Sequence, residues 1–180
     1  MNWLKGYGII SLAHTFVYKL EFTLGKGQFI MNWKFVEPLQ SENLIIEYEE
    51  KIGYEFPKDF KACVKRNNNG YPENKIFYSW KGKRKRKRVF NLLFSFNKDD
   101  ITSIWKYNNW HGRFSDWFRL SDGEIENYIV FACDPFGNFI CYDKRTDKIV
   151  FINHECADFS VAVEEIADSF TELINSLKSK

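Results

Sequence analysis

A chain of 180 residues, 44% hydrophobic and 18% aromatic, supports one folded domain with a sizeable core and excludes general disorder. No apolar run approaches the ~20 residues of a membrane-spanning helix, so no membrane is expected. The net charge of +2 conceals two opposed regions: Lys81, Lys83, Arg84, Lys85, Arg86, Lys87 and Arg88 lie together, and without them 19 basic residues face 24 acidic ones.

Residues 1–30 stand apart. Met1-Asn2-Trp3 is repeated at Met31-Asn32-Trp33. Gly25-Lys26-Gly27 would be encoded by purine-rich codons that can spell a ribosome-binding site just ahead of Met31. Translation from Met31 is therefore expected, with 1–30 an upstream extension and 31–180 the domain. The alternative is an extra strand, since Tyr18, Leu20, Phe22 and Leu24 alternate with polar neighbours. Leaving out 1–30 as well, 16 basic residues face 23 acidic ones.

Two helices come first. Ser41 is placed to cap one in which Leu44, Ile45, Tyr48 and Ile52 recur at helical spacing, and Gly53 ends it. Pro57 opens a second, with Phe60, Cys63 and Val64 as its stripe and Asn67-Asn68-Asn69-Gly70 as its stop. Strands are predicted over 75–80 and 89–94, joined by the basic run as a loop. That loop suits phosphate or an acidic patch, or is a solvated hairpin tip. Tyr78, Trp80 and Phe90 flank it; they are expected to face the core, with stacking on nucleic-acid bases the alternative.

A short helix is placed over 97–107. The stretch 105–118 is aromatic-rich, and Trp110, His111, Trp117 and Phe118 are expected mainly in the core, with an exposed recognition patch the alternative. Three strands follow, 128–133, 138–142 and 148–153, with turns at Asp134-Pro135-Phe136-Gly137 and Lys144-Arg145-Thr146-Asp147, an antiparallel meander. A last helix, capped by Asp158 or Ser160, is predicted through Val163, Ile166, Ala167, Phe170, Leu173, Ile174 and Leu177. The class is α+β: one domain, a central mostly antiparallel sheet, helices packed on it from the N-terminal part, and a C-terminal amphipathic helix.

Catalytic signatures are missing. His154-Glu155 lacks the second His of HExxH, and no GxSxG, Walker loop or GxGxxG occurs. Zinc at Cys133, Cys141, His154 and Cys156 would need spacings unlike any standard site. With Cys63, these cysteines are expected as reduced thiols of a cytoplasmic protein. No catalytic residue, cofactor or metal is assigned, and the protein is not expected to be an enzyme.

The ordered set Glu47-x-x-Glu50-x-x-Gly53-x-x-Phe56-Pro57-x-Asp59-Phe60, Asn68-Asn69-Gly70, Ala132-x-Asp134-x-x-Gly137-Asn138-x-Ile140-Cys141-x-Asp143, Asn153-His154-Glu155 and Ala167-Asp168-Ser169-Phe170-x-Glu172-Leu173-Ile174 resembles the SUKH superfamily, the Smi/Knr-like domains. Phe56 replaces the usual Leu, and the run 81–88 is no part of the family pattern. The resemblance implies an α+β fold without enzymatic activity. It also implies a bacterial immunity protein that neutralises a cognate polymorphic toxin domain, often a nuclease, by stoichiometric occlusion. An acidic body suits a basic nuclease as partner. Charge alone nominates Glu47, Glu50, Asp116, Asp122, Glu124 and Glu126 as contacts, with Arg84 and Arg86 on the basic run. The alternatives are an intracellular regulator or scaffold, and a nucleic-acid-binding module using 81–88.

Overall fold

The computed structural model describes residues 31–81, 83–108 and 122–179, apart from the side chains of Lys81 and Asp122. In chain order the elements are β1 (Trp33–Lys34), α1 (Asn43–Ile52), α2 (Lys58–Asn67), β2 (Tyr71–Pro72), β3 (Ile76–Lys81), β4 (Arg84–Val89) and β5 (Leu92–Leu93). There follow α3 (Ile104–Tyr107), α4 (Asp122–Ile125), β6 (Tyr128–Cys133), β7 (Phe139–Asp143), β8 (Ile149–Ile152), α5 (Phe159–Ala162), β9 (Val163–Ala167) and α6 (Phe170–Ser176). An antiparallel five-stranded sheet in the order β5-β6-β7-β8-β9 carries the core; β1 pairs with β2 and β3 with β4. This is the expected α+β class.

The two early helices form as their patterns require. Ile45 and Tyr48 turn inward from α1, which ends at Gly53 with φ 62°, a left-handed conformation natural to glycine. Phe60, Cys63 and Val64 turn inward from α2. Phe60 is the centre of the aromatic core: its ring lies 4.7 Å from Phe56, 5.3 Å from Phe131, 5.4 Å from Tyr142 and 5.1 Å from Phe170. One ring thus joins α2, the loop between the two early helices, the sheet and the last helix.

The meander forms where expected, from β6 through β8. Its first turn is locked by Asp134. Oδ1 accepts the N–H groups of Phe136 and Asn138, each at 2.8 Å, and Gly137 takes φ 86°. Between Val130 and Ala132 the β6–β7 register slips by a bulge. There the Asn108 side chain behaves as a missing strand: its Nδ2 donates to the Val130 carbonyl at 2.9 Å, and its Oδ1 accepts the Val130 N–H at 2.9 Å.

Three expectations need correction. The basic run is a strand: Arg84–Val89 pairs residue for residue with Ile76–Lys81. The predicted strand 89–94 is divided, because β4 ends at Val89 and Leu92–Leu93 joins the other sheet against Cys133 and Ala132. The long last helix is three elements. After the single turn Phe159–Ala162, Val163–Ala167 is an edge strand paired with β8, and the chain is helical again at Phe170–Ser176. Apolar spacing of three and four did not separate them. Val163 and Ile166 are β-branched, which suits a strand. Ser169-Phe170-Thr171-Glu172 is an N-cap signature: Ser169 Oγ accepts the Glu172 N–H at 3.1 Å. Asp158 caps the separate single turn α5.

Candidate partner-binding surfaces

Most residues of the recurrent motifs are used by the fold itself. Glu49 accepts the Phe56 N–H at 2.7 Å and pairs with Lys61 at 3.1 Å, fixing the α1–α2 corner. Asp59 Oδ2 accepts the N–H of Thr171 at 3.0 Å and its hydroxyl at 2.5 Å, tying α2 to α6. Asn68 is buried; its amide donates to Ser95 Oγ and accepts the Phe96 N–H. Burial would raise the Asp143 carboxyl, but the Arg145 guanidinium and backbone N–H overcome it and hold the group below the usual carboxylate range. None of these side chains is available to a partner.

The outer side of α1 is different. Ile46, Glu47 and Glu50 are exposed, Ile46 by 52%. Helical spacing sets Ile46 between Glu42 and Glu50, four residues away on either side. Glu47 meets Lys98 at 2.6 Å and Glu42 meets Lys65 at 2.5 Å, both pairs at the surface. Ile46 thus stands among Glu42, Glu47 and Glu50 and shares a hollow with Lys58, Lys61 and Lys65 of α2.

The other nominated acids are less well gathered. Glu124 and Glu126 are exposed, on and just after α4. Glu126 lines a hollow of about 440 Å³ with Lys51 and Ile52 of α1, Tyr128 and Lys144. The last turn of α1 and Glu126 therefore share a rim, but two lysines stand in it. Asp122 opens α4 with its side chain outside the described residues, and Asp116 lies outside them altogether, as do Trp110, His111, Trp117 and Phe118.

The β3–β4 ribbon forms the second surface. Its two faces alternate, since directly opposed residues in an antiparallel pair share a side. Phe77, Ser79, Arg86 and Arg88 share one face, and Arg84 is in register with them. Phe77 and Ser79 are buried there. Arg88 docks the ribbon: its guanidinium lies 4.2 Å over Phe151 and its Nη2 is 2.7 Å from Glu164 of β9, with both side chains largely buried. The opposite face presents Tyr78, Trp80, Lys85 and Lys87. Tyr78 is 40% exposed and Trp80 60%, so the expectation that these rings face the core fails for both; Phe90 alone of the three is buried. Lys85 Nζ sits 4.2 Å from the Tyr78 ring and 5.8 Å from that of Trp80. Of the nominated arginines, Arg84 is exposed near the tip and Arg86 half-buried. The lysines of the aromatic face were passed over, although strict alternation through the run would have found them.

Nothing in the described residues resembles a reactive centre. No group of three or more His, Cys, Asp or Glu is placed to hold a metal ion. Burial pushes the thiols of Cys63 and Cys133 up to about 12 and that of Cys141 well above its ordinary value, so all three stay protonated. His154 Nδ1 lies 2.9 Å from Asn138 Oδ1, at the turn it helps to close. No described helix is long and apolar enough to cross a membrane.

Comparison with known proteins agrees with this geometry. The SUKH_6 family model, described as SMI1-KNR4 cell-wall, matches residues 42–174. The chain belongs to that family. It is also similar to the SPbeta prophage-derived uncharacterized protein YokK of Bacillus subtilis (strain 168), 24% identical over 172 residues, covering 87% of this chain and 81% of that protein. The matched span runs from the start of α1 into α6, the part in which the motif residues hold the fold together.

Proposed function

We propose that this protein is a cytoplasmic immunity protein that binds a cognate toxin domain, a basic nuclease, and neutralises it by occluding its active site or substrate groove. Family membership supports the reading, since SUKH proteins are generally non-enzymatic and of the immunity type. The observation that carries the contact is the outer side of α1, where Ile46 stands exposed among Glu42, Glu47 and Glu50. A basic partner would find complementary charge at the rim and an aliphatic anchor at its centre, the arrangement of an interface hot spot. An inhibitor of this kind needs an interface of roughly 1,600 Å². Glu126, on the rim shared with the last turn of α1, would extend it.

The test is a rescue experiment. The toxic domain encoded beside this gene is expressed in a bacterial host with and without this chain. Growth restored by the wild-type chain, and lost with Glu47→Lys and Glu50→Lys together, is the expected result. No rescue by the wild-type chain sinks the reading.

A further inference from the structure

The outward face of the β3–β4 ribbon has features that neither the fold nor the toxin reading uses. Two large rings, Tyr78 and Trp80, are exposed side by side on it. They are two residues apart on one strand, so about 6.7 Å separates their attachment points, twice the rise per residue. Lys85 and Lys87 stand opposite them, and Lys83 is exposed in the turn; Arg84, exposed beside it, belongs to the other face. Among the described residues none forms an ion pair with Lys83, Arg84, Lys85, Arg86 or Lys87, although Lys34, Lys61, Lys65, Lys98, Arg145 and Lys148 all have acidic partners.

The strand itself is an unlikely one on propensity, because Lys is depleted in strands and neighbouring like charges repel. It is held by backbone pairing to β3 and by the Arg88 anchor on Phe151 and Glu164. Anchoring one face leaves the other presented in a fixed register.

We propose that this face binds single-stranded nucleic acid, with Trp80 and Tyr78 stacking on successive bases and Lys83, Lys85 and Lys87 holding the phosphates. Every base has a π-face, so two rings at this spacing serve an extended strand without regard to sequence, and flanking cations follow its backbone. Phosphate relieves the repulsion within β4. A duplex, whose bases are already stacked, leaves the rings unused. The surface lies apart from the outer side of α1 and needs no toxin.

The experiment uses the full chain and a short fluorescein-labelled oligonucleotide, oligo-dT in one arm and oligo-rU in the other, read by fluorescence anisotropy. Binding is expected to weaken with salt at a log–log slope of about −2, three cations at about 0.7 each. Trp80→Ala, at a largely exposed position, is expected to leave circular dichroism unchanged and to weaken binding about tenfold without altering that slope. Lys85→Gln with Lys87→Gln is expected to reduce the slope to about a third. Tighter binding in one arm supports the site and says whether RNA or DNA is its ligand. Absence of binding at low salt overturns the proposal. So does binding that survives Trp80→Ala and is displaced equally by poly-glutamate and by duplex DNA, which would mark the ribbon as a surface for acidic protein.

Discussion

The meander with its three packed helices and the β3–β4 ribbon are both built from antiparallel strands, yet they use their polar residues in opposite ways. In the body, Glu49, Asp59, Asn68, Asp134 and Asp143 are all turned to backbone groups or to near neighbours. In the ribbon, Arg88 and Ser79 are so engaged, while Lys83, Arg84, Lys85 and Lys87 face solvent. A motif that recurs across a family can mark what the fold requires. The surface particular to one chain then has to be sought where the motif is silent.

The largest way to break that distinction is at Phe60. Phe60→Ala removes the ring shared by α2, the sheet and α6, and is expected to cost about 4 kcal/mol of unfolding free energy in urea denaturation. Next comes Glu164→Ala, which leaves Arg88 wedged against Phe151 without its carboxylate; a loss of about 3 kcal/mol is expected from breaking a buried pair on one side. Asp59→Ala strips the Thr171 N–H and hydroxyl of their acceptor at the start of α6, for about 1–2 kcal/mol.

These three positions were not equally legible. Phe60 falls on the helical stripe with Cys63 and Val64, and its burial follows from periodicity alone. Glu164 does not: within the apolar spacing of 163–177 it reads as the polar side of a helix, and only its distant partner Arg88 explains why it lies inside on a strand. The basic run was misread for a related reason. Seven cations in eight residues oppose any local preference for a strand, and only pairing with β3 overrides it. Asn108 and Asn68 read as turn residues, yet they are buried and replace backbone partners across 22 and 28 residues of sequence. Of the candidate surfaces, the acids of α1 were legible from charge and helical spacing; the ribbon face needed the register.

A smaller effect concerns acid. The folded-state pKa of Asp143 is depressed by Arg145, so the carboxylate contributes stability above its unfolded value, and that contribution is lost as pH falls through the folded one. Arg145→Met should therefore flatten part of the decline in stability between roughly pH 5 and pH 2, measured by urea denaturation. The smallest effect is expected on the ribbon: Trp80→Ala, at 60% exposure, should change stability by no more than about 0.5 kcal/mol. A loss as large as that of Glu164→Ala would show the ring to be part of the fold.

The central proposal is that the outer side of α1 meets a cognate toxin domain. The direct measurement is calorimetric titration of the toxin domain used in the rescue experiment into three forms of the full chain: wild type, Glu47→Lys with Glu50→Lys, and Lys85→Gln with Lys87→Gln. One-to-one binding by the first and third, with a loss of at least tenfold in the second, is the predicted result. Equal binding by all three, or a loss confined to the ribbon variant, would contradict it.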